Sequence, residues 1–184
     1  SLYQEVNLPS TMKSIGSYAF KGNAISKVNT GGTMTVDGGA FLNCTRLVVA
    51  ELPNVVTICE TDTGAVFSNC SSLVSVSMPS LEKCSCNKMF EGCKSLRELY
   101  LCADNDDISV GINPFVACNI NKIKLFVPEE LVEFYQTKRP SGIGATYIYP
   151  IGEKMGENLV NGFNIGDYID AEFSDQCGIA TAER

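Results

Sequence analysis

The chain has 184 residues, 45% of them hydrophobic and 19% charged, with no tryptophan, no histidine and a formal net charge of −7. No apolar run approaches the roughly 20 residues of a membrane-spanning helix, and the lack of histidine removes Ser-His-Asp and Cys-His nucleophile pairs, histidine-ligated zinc and an imidazole base. The charge splits into 14 acids against 12 bases over residues 1–151 (−2) and 7 acids against 2 bases over 152–184 (−5), so no basic footprint exists for a phosphate backbone, and nucleic acid and membrane insertion are both set aside.

The first element is the phrase Tyr3-x-x-Val6-x-Leu8-Pro9, in which the last two apolar residues are two apart, the alternation of a strand with one buried face. Pro9 has no N–H to give a ladder, so it ends the strand and turns the chain away. A second extended stretch, Met12-Lys13-Ser14-Ile15-Gly16, leads to a corner at Ala19-Phe20-Lys21-Gly22-Asn23. The same order then repeats. Corners recur at Phe41, Phe67, Phe90 and Phe115, 21, 26, 23 and 25 residues apart, and the last four carry Cys44, Cys70, Cys93 and Cys118 three residues on. Each corner is followed by a strand phrase: Ile25-x-x-Val28, Leu47-x-x-Ala50-x-Leu52-Pro53, Leu73-x-x-Val76-x-Met78-Pro79, Leu96-x-x-Leu99-x-Leu101 and Ile120-x-x-Ile123-x-Leu125. A period of 20 to 30 residues marks stacked supersecondary units, each burying the face of the next.

Two coils depart from the pattern. The second has Thr30-Gly31 where Leu-Pro is expected, and the third inserts Glu60-Thr61-Asp62-Thr63-Gly64 before its Phe; irregular edges or loops are expected at both. At the end of the stack, Pro128 in a first turn, Glu129 and Glu130 at its positive end, apolar spacing at Leu131, Phe134 and Tyr135, and the stop Lys138-Arg139-Pro140 predict a short capping helix. The cap is placed at about 126–151. Residues 152–184 read as an acidic tail, a linker or the start of another module, with an Asn161-Gly162 hairpin expected within 159–165.

These phrases resemble the BspA-like leucine-rich repeat family, whose unit reads approximately Leu-x-x-Ile/Val-x-Leu-Pro, then Ile-Gly-x-x-Ala-Phe-x-x-Cys-x-x-Leu. Leu8-Pro9 through Ile15-Gly16-Ser17-Tyr18-Ala19-Phe20 fits it, as do Phe67-Ser68-Asn69-Cys70-Ser71-Ser72-Leu73 and Phe90-Glu91-Gly92-Cys93-Lys94-Ser95-Leu96. Phe126-Val127-Pro128-Glu129-Glu130-Leu131 and Tyr147-Ile148-Tyr149-Pro150-Ile151 look like the family's terminal cap. The resemblance spans about 2–151 and implies an α/β repeat solenoid, mostly β, built of right-handed leucine-rich-repeat-type coils of about 21–26 residues. It also implies a non-catalytic extracellular or cell-surface role in adhesion. Similar arrays with a Val-Pro-x-x-Leu-Val-x-x-Tyr cap occur in virion-associated proteins, so a phage tail or head component is the alternative, and an enzyme relying on carboxylates alone a distant third.

Four kinds of residue could carry chemistry. Cys44, Cys70, Cys93 and Cys118 share one repeat position, so a column of reduced, packed thiols is expected. Cys84-Ser85-Cys86 is read as one thiol inward and one outward, and the odd total of nine argues against a complete disulfide framework. Asp104, Asp106 and Asp107 could offer carboxylates to a hard cation, but without the Gly and distal Glu of a helical calcium loop they also read as a polar turn; no cofactor is expected. Asn43-Cys44-Thr45 and Asn69-Cys70-Ser71 match a glycosylation acceptor but fall where the repeat needs a turn, and Gly31-Gly32, Gly38-Gly39 and Gly142-x-Gly144 read as turns.

What remains is the outward face of the strands. The residues flanking each central apolar position, Glu5, Asn7, Lys27, Asn29, Val49, Glu51, Ser75, Ser77, Glu98, Tyr100, Lys122 and Lys124, are expected to form two exposed rows on a broad sheet. Tyr100 is the expected anchor, since aromatics dominate contact energies. The partner would be a protein or glycan on a host or neighbouring cell, or other virion proteins.

Overall fold

The computed structural model describes residues 3–102, 110–138, 144, 147–151, 159–160 and 163–164. The first four coils each supply one strand to each of two sheets: β1 (Glu5–Asn7), β2 (Ser14–Ile15), β3 (Lys27–Asn29), β4 (Thr35–Val36), β5 (Val49–Glu51), β6 (Thr57–Ile58), β7 (Ser75–Met78) and β8 (Lys83–Cys84). Three further strands, β9 (Glu98–Leu101), β10 (Lys124–Val127) and β11 (Ile148–Pro150), extend the first sheet. The main sheet runs β1-β3-β5-β7-β9-β10-β11 and the second β2-β4-β6-β8, every pairing parallel. Parallel neighbours one coil apart make a mostly β solenoid of about six turns, with a short helix near its C-terminal end.

The strand alternation explains the core. Val6 sits opposite Val28, Val28 opposite Ala50, Ala50 opposite Val76, Val76 opposite Leu99 and Leu99 opposite Leu125, and all but the terminal Val6 are buried completely. At the opposite wall the Phe rings form one continuous stack. Phe20, Phe41, Phe67, Phe90 and Phe115 follow each other at centroid distances of 5.3, 5.4, 5.7 and 5.7 Å, each pair within 5° of parallel. Spacings slightly above the 4.7–4.9 Å strand repeat give parallel-displaced rings, the arrangement that the ring quadrupole favours.

The corner turns at the residue two beyond each Phe, which has positive φ in all five coils: Gly22 (70°), Asn43 (59°), Asn69 (60°), Gly92 (74°) and Ala117 (57°). Gly and Asn are the residues that enter this region most readily, so the Asn of both acceptor-like triplets serves the turn. Asn69 Nδ2 donates to Asn43 Oδ1 at 3.2 Å, linking one corner to the next.

Both irregular coils are resolved by local packing. In the second, a Cβ on Gly31 would stand 2.0 Å from the Leu8 carbonyl oxygen, so only glycine lets the chain run this close to the first coil. The flanking Thr30 and Thr33 are buried completely, and neither hydroxyl has a hydrogen-bond partner among the described residues. A buried, unmatched polar atom costs about 1–3 kcal/mol. Thr30→Val, which removes that atom and keeps the shape, should therefore raise stability by about 1 kcal/mol in urea unfolding.

The third coil's insertion docks backward. The Asp37 carboxylate accepts from the backbone N–H of Gly38 (3.2 Å), Thr61 (3.2 Å) and Asp62 (2.8 Å) and from the Thr61 hydroxyl, while Asp62 Oδ1 closes the loop on the Gly64 N–H at 2.9 Å. Burial pushes the Asp37 acid up, but the Thr61 hydroxyl and the three amides outweigh it and hold the carboxyl below its ordinary value.

At the far end, a 3-10 turn at Glu129–Leu131 leads into α1 (Val132–Thr137), with Pro128 immediately before it and two acids in the first turn, as the cap pattern predicts. Tyr135 is fully buried and meets Phe134 edge-on at 5.6 Å. Leu159–Val160 and Phe163–Asn164 pair antiparallel, the hairpin expected around Asn161-Gly162.

Candidate binding face

The parallel register lays the outward residues in two rows. Glu5, Lys27, Val49, Ser75, Glu98 and Lys124 form one; Asn7, Asn29, Glu51, Ser77, Tyr100, Phe126 and Tyr149 form the other. The rows expected from the sequence thus exist, but their exposure does not follow that expectation. Val49, Ser75, Ser77, Glu98 and Tyr100 are all buried. The correction is largest at Tyr100, which keeps no exposed surface: its ring stacks on Phe126 at 5.0 Å and its hydroxyl donates to Glu98 Oε2 at 2.7 Å. Burial and then the adjacent Glu98 carboxylate push the phenol well above its ordinary value. This half of the sheet is packed rather than solvated.

Lys122 is also corrected. It is exposed in a 3-10 turn, Ile120–Lys122, and the strand begins after it, so that Leu125 and not Ile123 lies opposite Leu99. The two-residue displacement puts Lys124 beside Glu98 and brings in Phe126, which the sequence reading omitted. A usable signal was present. Counting back from Pro128, as from Pro53 and Pro79, places Val127, Phe126 and Leu125 in the positions of Met78, Ser77 and Val76. Tyr149 extends the aromatic row, 5.9 Å from Phe126, with Lys124 Nζ 4.7 Å from its ring centre.

The solvated part lies at the N-terminal end. Glu5 and Asn7 are exposed, and Lys27, Asn29 and Glu51 are half-buried. Lys27 Nζ lies between Glu5 Oε1 (3.9 Å) and Glu51 Oε1 (3.4 Å). Asn29 Nδ2 donates to Glu51 Oε2 at 3.1 Å, and Asn7 Nδ2 to Glu5 Oε1 at 3.4 Å. The longer pair to the exposed Glu5 contributes about 0–1 kcal/mol, whereas Lys27 and Glu51 are largely covered and Asn29 Oδ1 also accepts the Gly31 N–H at 2.8 Å.

The cysteines divide into two groups. Cys44, Cys70, Cys93 and Cys118 are free thiols, each donating to the Phe carbonyl one coil back: Phe20, Phe41, Phe67 and Phe90, at 3.1, 3.1, 3.0 and 3.0 Å. The expected column of reduced thiols is therefore present and also forms a hydrogen-bonded seam along the Phe stack. The Cys44 thiol and then burial push Cys70 up; burial and then Cys118 do the same to Cys93, so both stay protonated donors.

Elsewhere the cysteine reading holds in part: five thiols stay free, so the disulfide framework is incomplete as expected, but Cys84 and Cys86 do not divide inward and outward. Cys59 and Cys86 form a disulfide, Cα–Cα 5.3 Å, and Cys102 is disulfide-bonded as well. Residues 84 and 86 are two apart on an extended segment and so face the same side: Cys86 is buried, Cys84 is packed partly against the core, and Ser85 is the exposed one. Among the described residues no group of three Cys, Asp or Glu side chains could hold a metal ion, and no helix is long and apolar enough to cross a membrane. Asp104, Asp106 and Asp107 lie outside the described residues.

No curated protein and no solved structure matches the chain. A family model does: the BspA type leucine rich repeat region, six copies of which cover residues 1–121. Six consecutive matches over two thirds of the sequence agree with the coil-by-coil register of both sheets, and the chain belongs to the BspA-type leucine-rich repeat family.

Proposed function

We propose that the chain is a non-catalytic binding module that works outside the cell and contacts a protein or glycan through the N-terminal half of the main sheet's outward face. Leucine-rich repeats of this family suggest protein-binding and adhesion modules, and as a family they are generally non-catalytic. The observation that carries the reading is the polar network Glu5, Asn7, Lys27, Asn29 and Glu51: five polar side chains in parallel register on three adjacent strands, with both donors and acceptors at the least covered part of the outward face. The Cys59–Cys86 bridge supports the location, since disulfides persist in oxidising compartments.

The test is attachment to host cells, matrix proteins and a glycan array. Replacing Glu5, Lys27 and Glu51 together by Ala should weaken the attachment of the wild-type chain at least tenfold while circular dichroism stays unchanged. Lys122→Ala, outside the rows, should leave attachment intact. Full attachment by the triple variant would reject this face.

A further inference from the structure

Three cysteines come together where the third coil lies against the fourth. Cys59 and Cys86 are bridged, with Cα atoms 5.3 Å apart, and Cys84 is a free thiol two residues before Cys86. Cys59 directly follows Ile58, and Ile58 pairs with Cys84 across β6 and β8. One strand spacing and one residue of rise therefore place the Cys59 and Cys84 Cα atoms about 6 Å apart, inside the roughly 4.4–6.8 Å that a disulfide spans. Cys59 can reach both. Its φ of 61° turns an otherwise outward position into the interior, where its sulfur and that of Cys86 lie 3.3 and 3.8 Å from the same Gly64 carbonyl oxygen. On the fourth coil Cys84 and Cys86 share the inward side, and Cys84 Sγ rests 3.9 Å from Met89 Sδ.

We propose that this is a bridge with two stations: the Cys84 thiolate attacks Cys59 Sγ, the Cys59–Cys84 bond forms as the Cys59–Cys86 bond breaks, and the electron pair leaves on the Cys86 sulfur. Cys84 gives one proton to solvent and Cys86 takes one up, so one thiol and one disulfide stand on each side and no oxidant or reductant is consumed. Cys59 is the sulfur attacked, not Cys86. Residues two apart on one extended strand lie about 6.6 Å apart with parallel Cβ vectors, so a Cys84–Cys86 bridge would have to buckle β8. The exchange moves the covalent hold on the third coil from Cys86 to β8 itself. Cys86 is also where the fifth coil rests: its carbonyl accepts the Ile112 N–H at 2.8 Å, and a Cβ on Gly111 would stand 2.3 Å from that oxygen. The second station therefore releases the covalent hold on this seat and cross-links the β6–β8 pair instead. The device responds to pH. Burial pushes the Cys84 thiol up to about 11 against the opposing Cys86 N–H, so its thiolate grows about tenfold per pH unit from neutrality toward that value.

Thiol mapping on the full chain tests the proposal. Free thiols are blocked by a maleimide in acidic urea, the bridges are then reduced and alkylated with iodoacetamide, and trypsin, cutting after Lys83 and Lys88, puts both stations on one peptide whose fragment ions separate them. From a chain kept at neutral pH the maleimide should fall on Cys84. Incubating the native chain at rising pH before the acid quench should divide the label between Cys84 and Cys86, at a rate growing about tenfold per pH unit. Circular dichroism would show that the fold is kept meanwhile. Cys86→Ser, refolded in a glutathione buffer, should carry the Cys59–Cys84 bridge, and Cys84→Ser should leave Cys86 unlabelled at every pH. Label confined to Cys84 at every pH overturns the proposal. So does Cys86→Ser with Cys59 and Cys84 both free, label reaching Cys86 in Cys84→Ser, or label arriving on Cys59 in its place.

Discussion

Phe67→Ala is expected to cost about 5 kcal/mol, whereas Phe20→Ala should cost about 1–2 kcal/mol. Phe67 is fully buried between Phe41 and Phe90, at 5.4 and 5.7 Å, so truncation removes a complete aromatic side chain from a dry site and leaves a gap between two rigid rings. Phe-to-Ala changes in cores cost about 3–5 kcal/mol, and each lost stacked pair adds about 0.5–1.5 kcal/mol beyond area burial. Phe20 has one ring neighbour and is half-exposed, so both contributions shrink. For a chain of this size 1 kcal/mol moves the melting temperature by about 2–4 °C, so the two variants should separate by roughly 6–16 °C in a calorimetric scan. Equal effects would mean that the stack does not act as one cooperative column. The backbone bonds at this corner, Phe67 N–H to the Met89 carbonyl and the Cys93 thiol to the Phe67 carbonyl, survive the substitution, so the loss measures the ring itself.

The contrast between the two Phe positions shows what the sequence made legible. Features repeated from coil to coil could be read from spacing alone: the Phe stack, the thiol column, the strand that alternates inward and outward, the turn two residues after each Phe. Each arises from one physical requirement copied four or five times, and agreement between copies suppresses error. Features that belong to a single coil were read poorly. The 3-10 turn at Ile120–Lys122 shifts the last repeat by two residues and exchanges Lys122 for Phe126 on the outward face, because alignment on the aliphatic residues ignored the Pro that ends the strand. Burial of Tyr100 and Glu98 was invisible for another reason. Strand periodicity tells which side a residue faces but not what packs over that side.

The same distinction applies to the thiols. The column position is occupied by Cys in four coils, so its common environment followed from the repeat. Cys59 and Cys86 occupy no shared repeat position; they meet because the Glu60–Gly64 insertion bends the third coil beside the fourth, with the Cys59 φ at 61°. A left-handed non-glycine residue next to an insertion carries no periodic signature. The parity of Cys84 and Cys86 was nonetheless available, since residues two apart on an extended chain share a side.

Removing the disulfide by Cys59→Ala together with Cys86→Ala should cost about 3–4 kcal/mol. The bridge joins residues 27 apart, and closing a loop of that length in the unfolded chain accounts for about 3.5 kcal/mol on the chain-entropy scale. In the folded chain it spans the corner where the third coil's insertion rests on the second: Cys59 Sγ lies 3.3 Å from the Gly64 carbonyl oxygen, and Asp37 holds Thr61 and Asp62 from the other side. Both half-cystines are almost wholly buried, so a reductant reaches them only through local opening. Dithiothreitol alone should leave the native melting temperature nearly unchanged over short incubation, while the same reductant in urea near the midpoint should lower the unfolding midpoint irreversibly. Internal exchange is also slow, because burial pushes the neighbouring Cys84 thiol up to about 11 and leaves little thiolate at neutral pH. Because Cys102 is bridged as well, the double alanine variant isolates the Cys59–Cys86 contribution where a reductant does not. A double variant as stable as the wild type in urea would show that the third and fourth coils are held at this corner by the strand ladder and backbone bonds such as Ser85 N–H to the Ile58 carbonyl and Asn87 N–H to the Thr63 carbonyl.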